Sequence, residues 1–103
     1  MKIDLKANEM VVMATDTNHL VNESEKIKGK LILTNQRIYF RSVNGNSGKY
    51  DMEIEPGNIR DVLFFNPGFL QFNGLNLVTK QGHEIKFIIS QRNTWGQKIA
   101  SMC

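Results

Sequence analysis

The sequence predicts a mainly β fold: a small antiparallel barrel or sandwich of about seven strands, capped by one C-terminal α-helix. Three observations predict it. Apolar and polar residues alternate over much of the chain, turn compositions interrupt the alternation about every eight to twelve residues, and a helical period appears only near the end. The chain has 103 residues, 41% apolar and 22% charged. That suits a single domain over residues 1–103 with a core large enough to need no disulfide or metal.

Taken in order, Glu-Met-Val-Val-Met-Ala at 9–14 reads as a short, largely buried first strand. Residues 15–25 are polar, with only Leu20 and Val21 as anchors, and are expected to form a loop. Lys26-Ile27-Lys28-Gly29-Lys30 then alternates into a hairpin at 29–40. With Asn35 and Gln36 as a two-residue loop, Leu33 faces Ile38, Leu31 faces Phe40 and Lys30 faces Arg41. A slip of one residue would set Leu against Tyr or Arg, so the register is self-consistent.

A turn over Val43-Asn44-Gly45-Asn46-Ser47-Gly48, centred on Asn46, pairs Phe40 with Met52 and Ile38 with Ile54. Glu55-Pro56-Gly57-Asn58 breaks the pattern, and a strand follows at 59–65. Asn66-Pro67-Gly68 predicts a type II turn, with strand continuing at 69–72 and 75–79. A three-residue loop, Lys80-Gln81-Gly82 with Gly82 left-handed, pairs Leu77 with Ile85 and Leu75 with Phe87. Trp95, Ile99 and Met102 then fall at i, i+4 and i+7, one face of a short helix that Ser90, Asn93 or Thr94 could cap. Gly96 costs that helix about 1 kcal/mol, so packing of Trp95 has to hold it. The expected interior is Leu31, Leu33, Ile38, Phe40, Met52, Ile54, Leu75, Leu77, Phe87 and Trp95.

The string Gly29-x-Leu31-x-Leu33-Thr34-Asn35-x-Arg37-Ile38-x-Phe40 resembles the opening hairpin of GRAM domains and related bacterial modules with the pleckstrin-homology (PH) fold. The order of elements is similar over residues 10–102. Further matches are the crossing at Ile54-Glu55-Pro56-Gly57-Asn58-Ile59, the late glycine-turn hairpin at 75–89, and the closing helix entered through Arg92 and carrying Trp95. The resemblance implies a PH-like barrel and a non-catalytic module that docks on membrane lipids or on proteins. Lipid-binding members cluster Lys and Arg around the first loop and second strand. Here Asp16, Glu23 and Glu25 fall in the expected first loop, a departure from that pattern.

The residues themselves exclude several classes. A net charge of +3 is spread over thirteen basic and ten acidic residues, so no nucleic-acid partner is expected. Tyr39 alone would be too little for a stacking platform. His19, His83 and Cys103 lack metal-ligand spacing and read as surface residues, so no metal or cofactor is expected. Gly45-Asn46-Ser47-Gly48-Lys49 is three residues short of a phosphate loop. With no nucleophile–base arrangement and no carboxylate pair, the chain reads as a non-enzyme. A single cysteine favours a reducing compartment. The longest apolar run is five residues, Met10 to Ala14, where a spanning helix needs roughly 20. A cytoplasmic protein is expected, with peripheral membrane association open.

Two surfaces remain as candidates. Lys26, Lys28 and Lys30, joined by Arg37 and Arg41, form an outward basic face that could hold anionic lipid headgroups. The simpler reading is a solvated strand face, since surface charge alone seldom carries function. The second candidate is Phe64, Phe65, Pro67, Phe69 and Leu70. Alternation cannot bury two adjacent phenylalanines on one face, so apolar surface is expected for a protein partner or self-association. Alternatively the terminal helix covers it through Trp95.

Overall fold

Leu31, Leu33, Ile38, Phe40 and Ile54 meet across three strands in the register the alternation predicts, and they belong to the buried core. The computed structural model describes residues 4–43 and 48–103. The predicted turn centre at Asn46 lies outside the described residues, but the pairs on either side, Phe40 with Met52 and Ile38 with Ile54, are as expected. Seven antiparallel strands follow in chain order: β1 Val11–Asn22, β2 Glu25–Thr34, β3 Ile38–Ser42, β4 Met52–Ile54, β5 Ile59–Phe65, β6 Gly74–Thr79 and β7 Glu84–Ile88. One helix, α1 Arg92–Ala100, closes the chain. The strand order is β4-β3-β2-β1-β7-β6-β5. Inward residues of both halves share one core with Trp95 and Ile99 of the helix. Met52, expected inside, is only partly buried against it.

The late hairpin also matches its expectation. Leu77 pairs with Ile85 and Leu75 with Phe87, and Gly82 is left-handed at φ 87°. The helix differs at its start. Its N-cap is Gln91, itself left-handed at φ 59°, and Ser90, Asn93 and Thr94 make no capping bond. Gly96 has a packing reason. A Cβ there would lie 2.8 Å from the Phe64 ring, so glycine lets the helix settle onto β5.

The largest departure is β1. Residues expected as a loop continue the strand through Asn22, paired with β2 along its length. The inward side chains of this half are Thr15, Thr17 and His19 rather than aliphatics, so the segment reads as polar. Each buried polar group has a partner on β7. The Thr17 hydroxyl donates to the Ile88 carbonyl at 2.6 Å, and His19 Nδ1 lies 2.9 Å from the Lys86 carbonyl. His19 is therefore not a surface residue. It packs beside Phe40 and Phe87, with centroids at 5.4 and 5.2 Å, and burial pushes its imidazole below the ordinary histidine range. Asp16 accordingly sits on β1 and Glu25 on β2, leaving only Glu23 and Ser24 in the turn.

Candidate functional site

The conserved geometry of a β-sheet places Lys26, Lys28 and Lys30 on the outward face of β2, as alternation requires. Lys30 lies 3.7 Å from Asp16, directly across on β1. Arg41, across from Lys30 on β3, pairs with Asp51 at 3.3 Å. Asp51 also accepts from the Ser42 amide and hydroxyl; the Ser42 and Arg41 bonds together hold its carboxyl low against burial. Lys26 and Lys28 are exposed and form no ion pair among the described residues.

Arg37 does not join them. It is 5% exposed and grips Glu9 with both edges of its guanidinium, Nε to Oε2 at 2.7 Å and Nη2 to Oε1 at 2.8 Å. Nη1 donates to Glu53 at 2.7 Å and Nη2 to the Asp4 carbonyl at 2.8 Å. The Arg37 bonds hold the Glu9 carboxyl at about 2. The neighbouring turn residues act on the same segment. Thr34 donates its hydroxyl to Glu9 at 2.6 Å, Asn35 donates to the Asn8 carbonyl at 3.1 Å and accepts from the Met10 amide, and Gln36 donates to the Ala7 carbonyl. The Thr-Asn-Gln-Arg turn is thus a clamp on the strap formed by residues 4–10. Tyr39 lies beneath it, covered by the guanidiniums of Arg37 at 4.3 Å and Arg41 at 5.2 Å.

The Phe-rich segment divides. Phe64 lies against α1 at Gly96 while staying half exposed, with the Arg92 guanidinium 4.8 Å over its ring. Phe65 points the other way, towards Lys86 on β7, whose ammonium is 5.4 Å from its ring centroid. Beyond them, neither the type II turn at Asn66-Pro67-Gly68 nor the strand at 69–72 forms. Gly68 has no positive φ; instead the Gln71 amide donates to the Gly68 carbonyl at 3.1 Å, with Phe69 and Leu70 at the corner and Leu70 left-handed at φ 62°. A bulky γ-branched residue seldom takes that conformation. Phe69 is 93% exposed, Leu70 73% and Phe72 60%. Arg92 fastens the base of this tip, donating to the Phe65 carbonyl at 2.8 Å and reaching Asn66 Oδ1 at 3.3 Å. The helix therefore covers Phe64 only in part, leaving it 46% exposed, and leaves Phe69, Leu70 and Phe72 bare. Pro67 turns into a cleft beside the tip. Phe72 lies at the end of the same Phe-rich segment, outside the five residues expected as contacts.

That cleft, of about 660 Å³, lies between the β1–β2 turn, the outer face of β7 and the loop 66–73. Leu20, Val21, Ile88, Phe65 and Pro67 supply its apolar lining. Its charged groups are Glu23 and Lys26 from one side and Glu84 and Lys86 from the other.

Seven antiparallel strands of this order with a single closing helix invite comparison with solved structures. The C-terminal domain of an unknown protein from Leishmania infantum superposes with a TM-score of 0.77 at 20% identity, over 93% of this chain and 85% of that one. The Vps36 N-terminal PH domain gives 0.71 at 17% identity, over 95% and 81%. This chain has the PH-like fold. A DUF1696 family protein with a pleckstrin-homology domain from Shewanella loihica gives 0.65 at 15% identity, over 95% and 82%. No protein-family model matches the sequence. No curated protein matches it either. Among the described residues no helix is long and apolar enough to cross a membrane.

Proposed function

We propose that this PH-like domain is a non-catalytic binding module of the GRAM type whose contact element is the apolar tip at Phe69, Leu70 and Phe72, engaging a protein surface. The single observation that carries the reading is the exposure of those three side chains at one corner, fastened from below by Arg92 and left uncovered by the helix. A tip this apolar gains from burial roughly in proportion to the area it withdraws from water. The strained backbone at Leu70 supports the same reading, because such conformations tend to cluster at binding elements.

A second reading rests on Lys26 and Lys28, which are exposed on the outer face of β2 and unpaired among the described residues, and takes anionic lipid headgroups as the ligand. Arg37, committed to Glu9 and Glu53, does not contribute, and Lys30 and Arg41 contribute only partly. Salt separates the two readings, since screening weakens headgroup binding and leaves apolar contact intact. The test compares the parent chain with Phe69→Ser and with the Lys26→Ser/Lys28→Ser double variant. Each is measured by sizing chromatography and by co-sedimentation with neutral and anionic vesicles at low and high salt. Loss of association in Phe69→Ser at both salt concentrations, with the fold intact, is the expected result. Anionic-vesicle binding that high salt and the double lysine variant both abolish would replace it with the lipid reading.

A further inference from the structure

The exposed tip and the charged cleft beside it share one loop, residues 66–73. Pro67 and Gln71 line the cleft, while Phe69 and Leu70, between them in sequence, are exposed and do not line it. An apolar projection next to a cleft of mixed apolar and charged lining on the same surface suits a two-fold interface, because one rotation sets each projection over the other copy's cleft. The charges agree with that symmetry. Glu23 and Lys26 come from the β1–β2 turn, and Glu84 and Lys86 from β7. A lining with equal numbers of both signs offers no net attraction to an acidic or a basic ligand, but it is self-complementary: across a two-fold axis each carboxylate can meet an ammonium of the other copy. Glu84 is steadied for this by Asn76, whose Nδ2 donates to Glu84 Oε2 at 2.8 Å.

We propose that the partner of the tip is a second copy of this chain, the Phe69–Leu70 corner of each protomer entering the cleft lined by Leu20, Val21, Ile88 and Phe65 of the other. The proposal rests on the tip being the contact element. It adds the identity of the partner and the surface that receives the tip.

Sedimentation equilibrium of the whole chain tests it with Phe69→Ser, which removes the tip, and Val21→Glu, which blocks the cleft at an exposed position where folding is not at stake. The parent is expected to form a dimer, and each variant alone to be monomeric at the same concentration. An equimolar mixture of the two should recover a heterodimer, weaker than the parent dimer, because one intact tip still meets one intact cleft. Circular dichroism of each variant confirms that the fold is retained, and Leu20→Glu serves as a second cleft variant. A parent chain that stays monomeric to about 1 mM overturns the second-copy proposal. So does a dimer that survives both variants, or a mixture that recovers nothing. If the parent is monomeric yet Phe69→Ser loses binding to neutral vesicles, the tip remains a contact element and only the second-copy assignment falls. If Phe69→Ser changes no association of any kind, the tip reading itself falls as well.

Discussion

Two ends of hairpins in this molecule are built on opposite principles. The turn between β2 and β3 is polar, and its side chains at Thr34, Asn35, Gln36 and Arg37 all bond to the strap at 4–10. The loop between β5 and β6 is apolar, and its corner residues face solvent. The first end is saturated. The Thr34 and Arg37 bonds to Glu9 are short, charge-assisted and buried, and the exposed Asn35 and Gln36 bonds add to them, so this end specifies one arrangement of the chain that precedes β1. The second end is unsatisfied in the apolar sense, and covering it would be favourable. Buried polar bonding is concentrated at one end and exposed apolar surface at the other, which is why the motif that best reports the fold says least about the tip.

Changes at the clamp should have the largest effects. Thr34→Val keeps the shape but deletes a buried hydroxyl that serves Glu9 and receives the Gln36 and Arg37 amides. A loss of about 1–3 kcal/mol is expected, read by urea unfolding followed through Trp95 fluorescence. If stability is unchanged, the strap is not clamped as described.

Acid should attack the same end. Because the Glu9 carboxyl is held at about 2 against an ordinary 4.5, the unfolded chain binds its proton first. The stability it contributes is complete above pH 4.5 and is lost as pH falls towards 2. Asp51 and Glu53 shift in the same direction, so Glu9→Gln should lower stability at neutral pH and flatten the acid decline without abolishing it. His19, held low by burial, acts earlier: its contribution is complete above its ordinary value of about 6.5 and erodes below it. Unfolding curves for His19→Phe at pH 7 and pH 5.5 would differ less than those of the parent.

The loop should behave otherwise. Leu70→Gly relieves a left-handed backbone that costs a bulky residue about 1–2 kcal/mol, offset in part by glycine's greater freedom when unfolded. A net gain of up to about 1 kcal/mol is expected, where a large-to-small change in the core would lose several. Phe69→Ser, at a side chain that touches almost nothing, should move stability by no more than about 0.5 kcal/mol while removing association. A large loss of stability there would show the ring to be core and erase the contrast between the two ends.

Local alternation determined the hairpin register around Leu33 and Ile38, the pairing of Leu75 with Phe87, the left-handed Gly82 and eight strand residues of the core, but not Ile27, Ile59 or Ile89, because strand periodicity and turn chemistry act over a few residues. It could not find the second half of β1, where Thr17 and His19 are buried and are made acceptable by carbonyls of β7, about seventy residues away in the chain. Nor could it move Arg37 from the basic face into its pair with Glu9, since that depends on where the strap returns across the β2–β3 turn. The adjacent phenylalanines at 64 and 65 marked the Phe-rich segment as one surface. Only packing separated Phe64 against the helix and Phe65 beside Lys86 from the bare corner at Phe69 and Leu70, because how far a short helix reaches is set by what it rests on, and this one rests on Phe64 at Gly96.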